Sequence, residues 1–423
     1  MDINFTDICV NAKKASRELS LLDGRQRNQI LLRIASRVLE SKSVILDANK
    51  IDYEKASNAG VDLHVLDRLY LNEERIDAIV DAIYHIVELD DPLDIEYDTS
   101  VRPNGLNISK ISVPLGVIGT IYESRPNVTL DIVALCVKSG NVSILKGGSD
   151  TLNTNATIVA TIQKGLTDLK LNPNIVQFIN SSDREYVDLM LSATNYIDLI
   201  IPRGGASLVN FVREKSKVPA ITGGIGVCHI YVDEYADNNK VVNIIHNSKV
   251  QRPSVCNALD TVIFNYKVEK NIIISTVKQL LESEVEIHAD PRCFDILSPL
   301  NKDYPGTIMQ ASDDDWGQEF LSLTLSLRMA DSLDEAIEYI NYYGGHSEAI
   351  ISENNDNISA FVKAVDSAAV FVNASTRFND GWEFGLGAEV AISTSKIHAR
   401  GPMGIRELTS YKWVAIGDGQ IRE

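Results

Sequence analysis

Four short apolar runs, each followed by a segment of helical length, constrain the fold of this chain most strongly. They are VIGTI (117–121), VSILK (142–146), IVQFI (175–179) and IDLII (197–201), and all are rich in β-branched residues. Continuous apolar strands that alternate with helices are typical of a parallel sheet covered on both faces. A sheet of this kind binds ligands at the carboxyl ends of its strands. We therefore predict an α/β domain whose binding residues follow these runs.

The rest of the sequence divides around this domain. Helical stripes, such as Ile30, Ile34 and Val38, occur in the segment that precedes the first strands. A second strand–helix alternation starts near Val227, which predicts a second α/β domain. The predicted boundaries are 1–96 with 114–225 for the first α/β domain, 226–395 for the second, and 97–113 with 396–423 for an arm and a carboxyl-terminal strand.

The arm is predicted from a change of hydrophobic period. Residues 95–113 alternate in twos around Pro103-Asn104-Gly105, which is a strong hairpin pattern. A two-stranded ribbon is rarely stable alone, so we expect it to pair with another element, for example one from another subunit. The tail RELTSYKWVAI ends in a strand-like run with no obvious partner of its own.

Composition excludes several classes of protein. Hydrophobic residues make up 44% of the 423 residues and charged residues 23%, which is ordinary for a globular protein. No run approaches the roughly 20 apolar residues that cross a bilayer, and the amino terminus lacks the apolar core of a secretory signal. The net charge of −18 argues against a surface that binds nucleic acid or anionic membranes. An anionic substrate must therefore meet a local cluster of cations.

The cysteines are five in number and widely spaced, with no C-x-x-C pair. This pattern argues against a disulfide framework or a zinc cluster and favours a reducing, cytoplasmic location. The histidines are few and scattered, so no metal site is predicted. Cys9 and Cys136 lie in apolar stretches and are expected to be buried, and Cys228 and Cys293 are expected to be structural. For Cys256, in VQRPSVCNALD, the stretch alone leaves open whether it is a buried hydrophobe or a nucleophile.

Three stretches at the predicted strand ends could carry chemistry. Gly204-Gly205 in LIIPRGGASLV would let a phosphate approach the backbone at a helix start, or would form an ordinary tight turn. Lys146 in VSILKGGSD could hold a ribose or a phosphate, or extend to solvent. In YESRPNVTLDI, beside Arg125, Asn127 could donate its amide to an oxyanion or cap the following helix.

Taken in order, these stretches resemble the aldehyde dehydrogenase superfamily almost from end to end. VPLGVIGTIYESRPN is similar to the P-x-G-V segment that leads to its oxyanion asparagine, and ILKGGSD to its Lys-Pro-Ser-Glu segment. TGGIGVCHIYVDEYAD is similar to its Leu-Gly-Gly-Lys segment, and QEFLSLTLSL to its Glu-x-Phe-Gly-Pro segment. The resemblance implies a Rossmann-type cofactor domain, a second α/β catalytic domain and a small β-hairpin oligomerisation arm.

The same resemblance implies a role for each matching residue. Cys256 falls at the place of the catalytic thiol, and Asn127 at the place of the oxyanion donor. Lys146 would meet the adenosine ribose of the cofactor, and Glu319 its nicotinamide ribose. The residues predicted to bind the cofactor are Lys146, Ser149, Gly204, Gly205 and Glu319.

Two departures from the superfamily pattern are informative. Oxidising members carry a glutamate just before the Gly-Gly, whereas this chain reads Ala220-Ile221-Thr222-Gly223-Gly224. Without that base, attack of water on an acyl-enzyme should be slow. Ser149 replaces the glutamate of the Lys-Pro-Ser-Glu segment, which removes a like charge from the neighbourhood of a 2′-phosphate. The predicted cofactor is therefore NADP(H).

Longer stretches narrow the resemblance to one branch of the superfamily. IYESRPNVT, HSEAII, NASTRFNDGWEFGLGAEV and IHARGPMGIREL resemble the members that reduce L-glutamyl 5-phosphate to L-glutamate 5-semialdehyde in proline biosynthesis. The resemblance implies a functional link to glutamate 5-kinase and a homo-oligomer. The cations proposed for the substrate phosphate and carboxylate are Arg125, Arg252, Arg377 and Arg400, and a surface salt bridge is the alternative for each.

Two other functions stay open from the sequence. One is a reductase or dehydrogenase of the same superfamily that acts on another acyl phosphate or on an acyl-CoA. The other is a non-catalytic, nucleotide-binding scaffold. Because Cys256, Asn127, Lys146 and Glu319 occur together, the sequence favours an enzyme.

Overall fold

Two units of parallel α/β architecture make up the chain in the computed structural model, which describes residues 4–221, 223 and 226–422. The first unit takes in Met1–Thr222, Gly385–Ala391 and Met403–Glu423, and the second takes in Gly223–Phe384 and Ile392–Pro402. Residues 385–391, which were predicted to belong to the second α/β domain, lie in the first unit. The assignment of cofactor binding to the first unit and of thiol chemistry to the second stays a prediction.

Five helices precede the first strand. The second of them begins with a reciprocal capping box, in which the side chains of Asp23 and Gln26 each accept a hydrogen bond from the other's backbone N–H. The apolar stripe of this helix, including Ile30, Ile34 and Val38, is buried as predicted. The helices are α1 Phe5–Leu19, α2 Gly24–Glu40, α3 Lys42–Asn58, α4 Leu63–Leu69 and α5 Glu73–Glu88.

The first unit contains a four-stranded parallel sheet, which confirms the four predicted strands. Each strand occupies its predicted run, but the last starts at Leu199, two residues later than predicted. Helices cover the sheet, so the strand residues are almost entirely buried. The strands are β3 Val117–Tyr122, β4 Val142–Lys146, β5 Val176–Phe178 and β6 Leu199–Arg203; the helices are α6 Asn127–Lys138, α7 Leu152–Asp168, α8 Glu185–Ser192 and α9 Ala206–Lys215.

The order of these strands, β5-β4-β3-β6, creates a switch point in the sheet. From β3 the chain proceeds through β4 to β5, and it then crosses over to place β6 on the other side of β3. The loops after β3 and β6 therefore leave the same edge in opposite directions. An edge of this kind is where open α/β sheets bind nucleotides.

The second unit contains a seven-stranded parallel sheet in the order β10-β9-β11-β8-β7-β12-β13. Alternate residues point to opposite faces, so that Ile230 and Val262 join one apolar core while Tyr231 and Ile263 join the other. The strands are β7 Cys228–Val232, β8 Thr261–Asn265, β9 Glu286–Ala289, β10 Ile308–Gln310, β11 Thr324–Ala330, β12 Ser347–Ile351 and β13 Ala369–Val372; the helices are α10 Asn238–Val250, α11 Lys270–Glu282, α12 Pro291–Leu297, α13 Leu333–Tyr343 and α14 Asn355–Ala364.

The predicted hairpin is formed by β1 (Glu96–Val101) and β2 (Asn107–Pro114), which pair in antiparallel fashion. Gly105 adopts a φ of 85° in the connecting turn, a conformation that suits glycine. The tail, for which the sequence showed no obvious partner, pairs with this arm. Its strand, β16 (Thr409–Ile416), pairs with β2 along its full length, from Thr409 opposite Pro114 to Ile416 opposite Asn107.

The remaining strands, β14 (Ala391–Ser393) and β15 (Gly401–Met403), form a short two-stranded sheet.

The hydrophobic periodicity of the tail could not predict the β2–β16 pairing, because the two strands are distant in sequence. Among the helices that the structure describes, none combines the length and the apolar character needed to cross a membrane.

Candidate active site

Cys256 lies in the turn between α10 and β8, and it is the most accessible of the five cysteines. The structure describes all five, and the other four are buried. Burial raises the pKa of Cys9 to about 11 and that of Cys136 to about 12, which keeps both as inert thiols. The Cys256 side chain is half-buried, and its carbonyl oxygen accepts a hydrogen bond from the Cys228 thiol at 3.2 Å.

Gly226 brings Cys256 and Glu319 to the same place. A Cβ atom on Gly226 would lie 2.6 Å from Oε1 of Glu319 and 2.9 Å from Cβ of Cys256, so the position requires glycine. Burial raises the pKa of Glu319, and a hydrogen bond from the Gly226 N–H lowers it. The predicted nucleophile and the predicted cofactor-binding glutamate therefore both lie against the backbone of Gly226.

The predicted substrate cations of the second unit differ in their surroundings. Arg377 is half-buried, and its Nε donates to Oε1 of Gln251 at 2.9 Å. Burial and the nearby Arg252 guanidinium lower the pKa of Arg377, whereas Asp380 and the thiol of Cys256 raise it. Arg377 thus lies near both the Cys256 thiol and the Arg252 guanidinium.

Arg400 has a different environment. Its Nη1 donates to Oδ1 of Asp366 at 2.8 Å, and Lys396 pairs with the same carboxylate. For Arg400 the structure therefore shows a surface salt bridge, which was the alternative to substrate binding for each predicted cation. The fourth predicted cation, Arg125, is half-buried in the first unit, in the loop that follows β3.

Asn127 is the first residue of α6, at the carboxyl edge of the first sheet. No side chain caps this helix at Pro126, and the amide of Asn127 instead donates to Oδ2 of Asp131 at 3.0 Å. Burial raises the pKa of Asp131 to about 6, although the Asn127 amide and the Arg203 guanidinium stabilise its charged form. The side chain of Asn127 is therefore oriented by a carboxylate rather than used as a cap.

Lys146 ends β4 and does not extend to solvent. Its side chain is 5% exposed, and Nζ donates to the carbonyl of Gly147 at 3.0 Å. Burial lowers the pKa of this lysine, and Asp183 opposes the shift. Ser149 is exposed three residues later, and the adjoining Asp150 accepts a hydrogen bond from the Ser124 hydroxyl.

The Gly204-Gly205 turn leads from β6 into α9, and the N–H groups at a helix start can bind an anion. In the structure the N–H of Gly205 donates to Oε2 of Glu123 at 2.9 Å. A carboxylate of the chain itself therefore occupies the position proposed for a cofactor phosphate. Phosphate binding at this turn stays a prediction, and it requires Glu123 to withdraw.

A buried polar network beneath Cys256 escaped the sequence analysis. The thiol of Cys228 lies 3.8 Å from Nδ1 of His346, which in turn lies 2.8 Å from the hydroxyl of Ser347. The amide of Asn379 donates to the same hydroxyl at 2.7 Å. Burial lowers the pKa of His346 to about 4, so its imidazole is neutral at physiological pH. Polar residues at the start of strand β12 were the one sequence signal for this network.

The segment that lacks the hydrolytic glutamate is described in part. Ile221 is buried, and its N–H donates to the carbonyl of Ile200 at 3.0 Å. Thr222 and Gly224 lie outside the described residues. At position 221 the structure thus places an apolar side chain packed into the protein.

Comparison with known proteins decides the family. The model of the aldehyde dehydrogenase family matches residues 4–294. The chain is also 47% identical to a gamma-glutamyl phosphate reductase of Roseiflexus castenholzii over 421 residues, which cover 99% of each protein. It belongs to the aldehyde dehydrogenase family, among the gamma-glutamyl phosphate reductases. The predicted resemblance is confirmed.

Solved structures of this family confirm the predicted fold class. The gamma-glutamyl phosphate reductase of Thermotoga maritima superposes with a TM-score of 0.96 at 42% identity, over 99% of both chains. An acetylating aldehyde dehydrogenase of Geobacillus thermoglucosidasius shares the fold, with a TM-score of 0.67 over 99% of this chain and 97% of that one. Its identity is 16%, so it shows the fold alone.

Proposed function

We propose that this chain catalyses the NADPH-dependent reduction of L-glutamyl 5-phosphate to L-glutamate 5-semialdehyde and phosphate, the second step of proline biosynthesis from glutamate. One observation carries the proposal: Cys256 and Glu319 meet at Gly226 in a chain whose relatives, over their full length, are gamma-glutamyl phosphate reductases. The gamma-glutamyl phosphate reductases are 42–47% identical to this chain, whereas the acetylating aldehyde dehydrogenase is 16% identical and shows the fold alone; this difference favours glutamyl phosphate over the alternative substrates.

Cys256 is the proposed nucleophile. Its sulfur attacks the acyl carbon of the substrate, a C–S bond forms, and the phosphate leaves with the electrons of the broken C–O bond. The Arg377 guanidinium, which lies near Cys256, favours the thiolate. Together with Arg252 it attracts the anionic substrate into a protein whose net charge is −18. The Asn127 amide and the Cys256 backbone N–H are proposed to stabilise the oxyanion.

The residues proposed for the cofactor fit a nucleotide. Gly226 lets the backbone pass close to the Glu319 carboxylate and to Cys256, and that carboxylate would accept hydrogen bonds from ribose hydroxyls. Lys146, Ser149 and the Gly204-Gly205 turn lie at strand ends of the first sheet. NADPH, when bound, supplies the hydride that reduces the Cys256 thioester. Cys256 then leaves as a thiolate when the aldehyde is released.

The test of this function is the dependence on phosphate. Ile221 offers no base at its position, so the acyl-enzyme should persist until phosphate attacks it. With glutamate 5-semialdehyde and NADP⁺, steady NADPH formation should require phosphate and saturate with it. In phosphate-free buffer we expect a burst of about one NADPH per active site, because Cys256 acylates once.

Two outcomes would contradict the proposal. If the steady rate in phosphate-free buffer equals the rate with phosphate, the enzyme hydrolyses its thioester and is an ordinary aldehyde oxidant. If acetyl-CoA or another acyl phosphate is reduced with a higher kcat/KM than glutamyl phosphate, the substrate assignment is wrong. Arsenate, a similar nucleophile, should replace phosphate and serves as the positive control.

Three further expectations belong to the proposal. The substrate is an unstable acyl phosphate, so we propose a functional link to the glutamate 5-kinase that produces it. We also propose that the chain forms a homo-oligomer through the β1-β2-β16 sheet, which sedimentation velocity would test. Finally, we propose a cytoplasmic location, as predicted from the cysteine pattern.

A further inference from the structure

Asp260 is a buried carboxylate that joins two segments of the candidate site. It is 2% exposed and directly precedes β8, four residues after Cys256. Its Oδ2 accepts a hydrogen bond from the Cys228 N–H at 3.1 Å, and its Oδ1 accepts one from the Phe320 N–H at 3.0 Å. One carboxylate therefore ties the strand that follows Gly226 to the loop that carries Glu319.

The two carboxylate oxygens of Asp260 accept from different segments, so both hydrogen bonds form only when the side chain lies between those segments. Phe320 is adjacent to Glu319, whose own carboxylate accepts from the Gly226 N–H. Asp260 and Glu319 thus hold the same two segments together from opposite ends. If the hydrogen bonds of Asp260 are lost, only the contact between Glu319 and Gly226 holds these two segments in position.

Lys249 supports the charge of Asp260. It is fully buried on α10, and its Nζ donates to the carbonyl of Leu259 at 2.8 Å and lies 5.8 Å from the ring centre of Phe320. Burial raises the pKa of Asp260, and the positive charge of Lys249 opposes this shift. A buried carboxylate with a cation nearby and two N–H donors is a costly arrangement that an apolar core does not need.

We infer that Asp260 is a positioning residue for the cofactor, because it holds Glu319 in the place where it contacts the nicotinamide ribose. Asp260 acts through the backbone of Phe320 and touches neither substrate nor cofactor. The inference rests on the proposed function of Glu319 as a cofactor ligand. It goes beyond that function because it makes cofactor affinity depend on a residue beneath the site.

The experiment is the isosteric substitution Asp260→Asn in the full chain. An amide offers one acceptor oxygen for two N–H donors, so either Phe320 or Cys228 loses its partner. We expect the Kd for NADPH, measured by fluorescence titration, to rise by about tenfold, the usual effect of one lost charge-assisted hydrogen bond. The KM for glutamate 5-semialdehyde should change less than the KM for NADP⁺.

Asp290 provides the matched control. It is 8% exposed and, like Asp260, accepts two backbone N–H bonds from separate segments, from Cys293 at 2.7 Å and Met329 at 2.9 Å. Asp290→Asn should lower the melting temperature by a similar amount and leave the Kd for NADPH unchanged. Equal effects of both substitutions on that Kd would overturn the inference, since they would show general loosening.

A double-mutant cycle with Glu319→Gln tests the route of the effect. If Asp260 acts through Glu319, the two substitutions together should weaken NADPH binding by less than the product of their separate effects. Full additivity would overturn the inference. These measurements report cofactor binding and not turnover. If the wild-type protein binds NADPH but does not oxidise glutamate 5-semialdehyde, the proposed function is wrong, and the effect of Asp260 on NADPH binding can still be measured.

A second pair of variants applies if Asp260→Asn does not fold. Asp260→Glu and Asp260→Gln have the same shape and differ only in the acceptor that they offer. We expect the glutamine variant to bind NADPH at least fivefold more weakly than the glutamate variant. Equal Kd values for this pair would contradict a role for the carboxylate.

Discussion

The amide of Asn127 donates a hydrogen bond to the carboxylate of Asp131, one turn along α6, at 3.0 Å. An amide nitrogen has two N–H groups, so this bond leaves one of them for an oxyanion. The bond also fixes the plane of the amide, and a fixed donor stabilises a developing charge without reorganisation. The arrangement makes Asp131 a support for the predicted oxyanion donor.

We expect Asn127→Ala to lower kcat on the order of 10² to 10³, the usual cost of one lost oxyanion donor. Asp131→Leu should lower kcat by a smaller factor, because the amide remains but loses its orientation. The two substitutions should be non-additive in steady-state kinetics. If Asp131→Leu leaves kcat unchanged while the protein stays folded, the hydrogen bond has no part in the reaction.

The cysteines should separate chemistry from packing. Cys256→Ala should abolish turnover and leave NADPH binding largely intact, because the thiol forms the covalent bond. Cys136 is 1% exposed within α6, so Cys136→Ala should cost about 1–2 kcal/mol of unfolding free energy and leave kcat near the wild-type value. Denaturant unfolding and reductase assays on both variants check this, and substantial activity of Cys256→Ala would rule out the covalent route.

Cofactor choice should depend on Ser149, which is exposed after β4. Wild-type enzyme should use NADPH much better than NADH. In Ser149→Glu, repulsion of the 2′-phosphate costs roughly 1–4 kcal/mol at contact distance, so kcat/KM for NADPH should fall by about tenfold or more. Ser192→Glu adds the same charge at the end of α8 and should leave the preference unchanged. Equal efficiencies with both cofactors in the wild type would refute the electrostatic explanation.

Stability should depend on pH through His288. Its Nδ1 lies 2.5 Å from Oδ1 of Asp315 and its Nε2 lies 2.8 Å from Oε1 of Glu286. Burial disfavours the charged imidazole, but the two carboxylates outweigh burial and raise its pKa. The stabilisation is therefore complete below the ordinary histidine pKa of about 6.5 and is lost as the pH rises through the raised value.

The substitution His288→Gln measures this contribution. The free energy of unfolding in urea should fall more, relative to wild type, at pH 6 than at pH 9. His246→Gln removes an imidazole contact with the hydroxyl of Ser283 rather than with a carboxylate and serves as the control. A loss for His288→Gln that is the same at both pH values would exclude the charged pair as its source.

The parts of the molecule that the sequence could predict are those that depend on local pattern. The runs that became β3, β4, β5 and β6 are apolar because both faces of a parallel sheet are buried, so composition alone marks them. The resemblance to the aldehyde dehydrogenase superfamily singled out Cys256 and Glu319, and in the structure both lie against Gly226. Contacts between residues that are distant in sequence leave no such local pattern.

Asp260 illustrates what could not be predicted. In the sequence it is one polar residue before a strand, and its partner Phe320 lies sixty positions away. The contact between Glu123 and Gly205 is hidden in the same way, since it depends on β3 and β6 being neighbours. The pairing of the tail with the arm required knowledge of where distant strands meet.

The pairing of β2 with β16 also sets the order in which the chain can be completed during synthesis. Residues 107–114 leave the ribosome about three hundred residues before their partners at 409–416. At about 5–20 residues per second, one edge of β2 stays without its partner for roughly 15–60 seconds. The β1-β2-β16 sheet of the first unit is therefore completed only after residues 409–416 have been synthesised. During this interval the nascent chain carries an open strand edge, a surface on which unfinished chains can pair with one another.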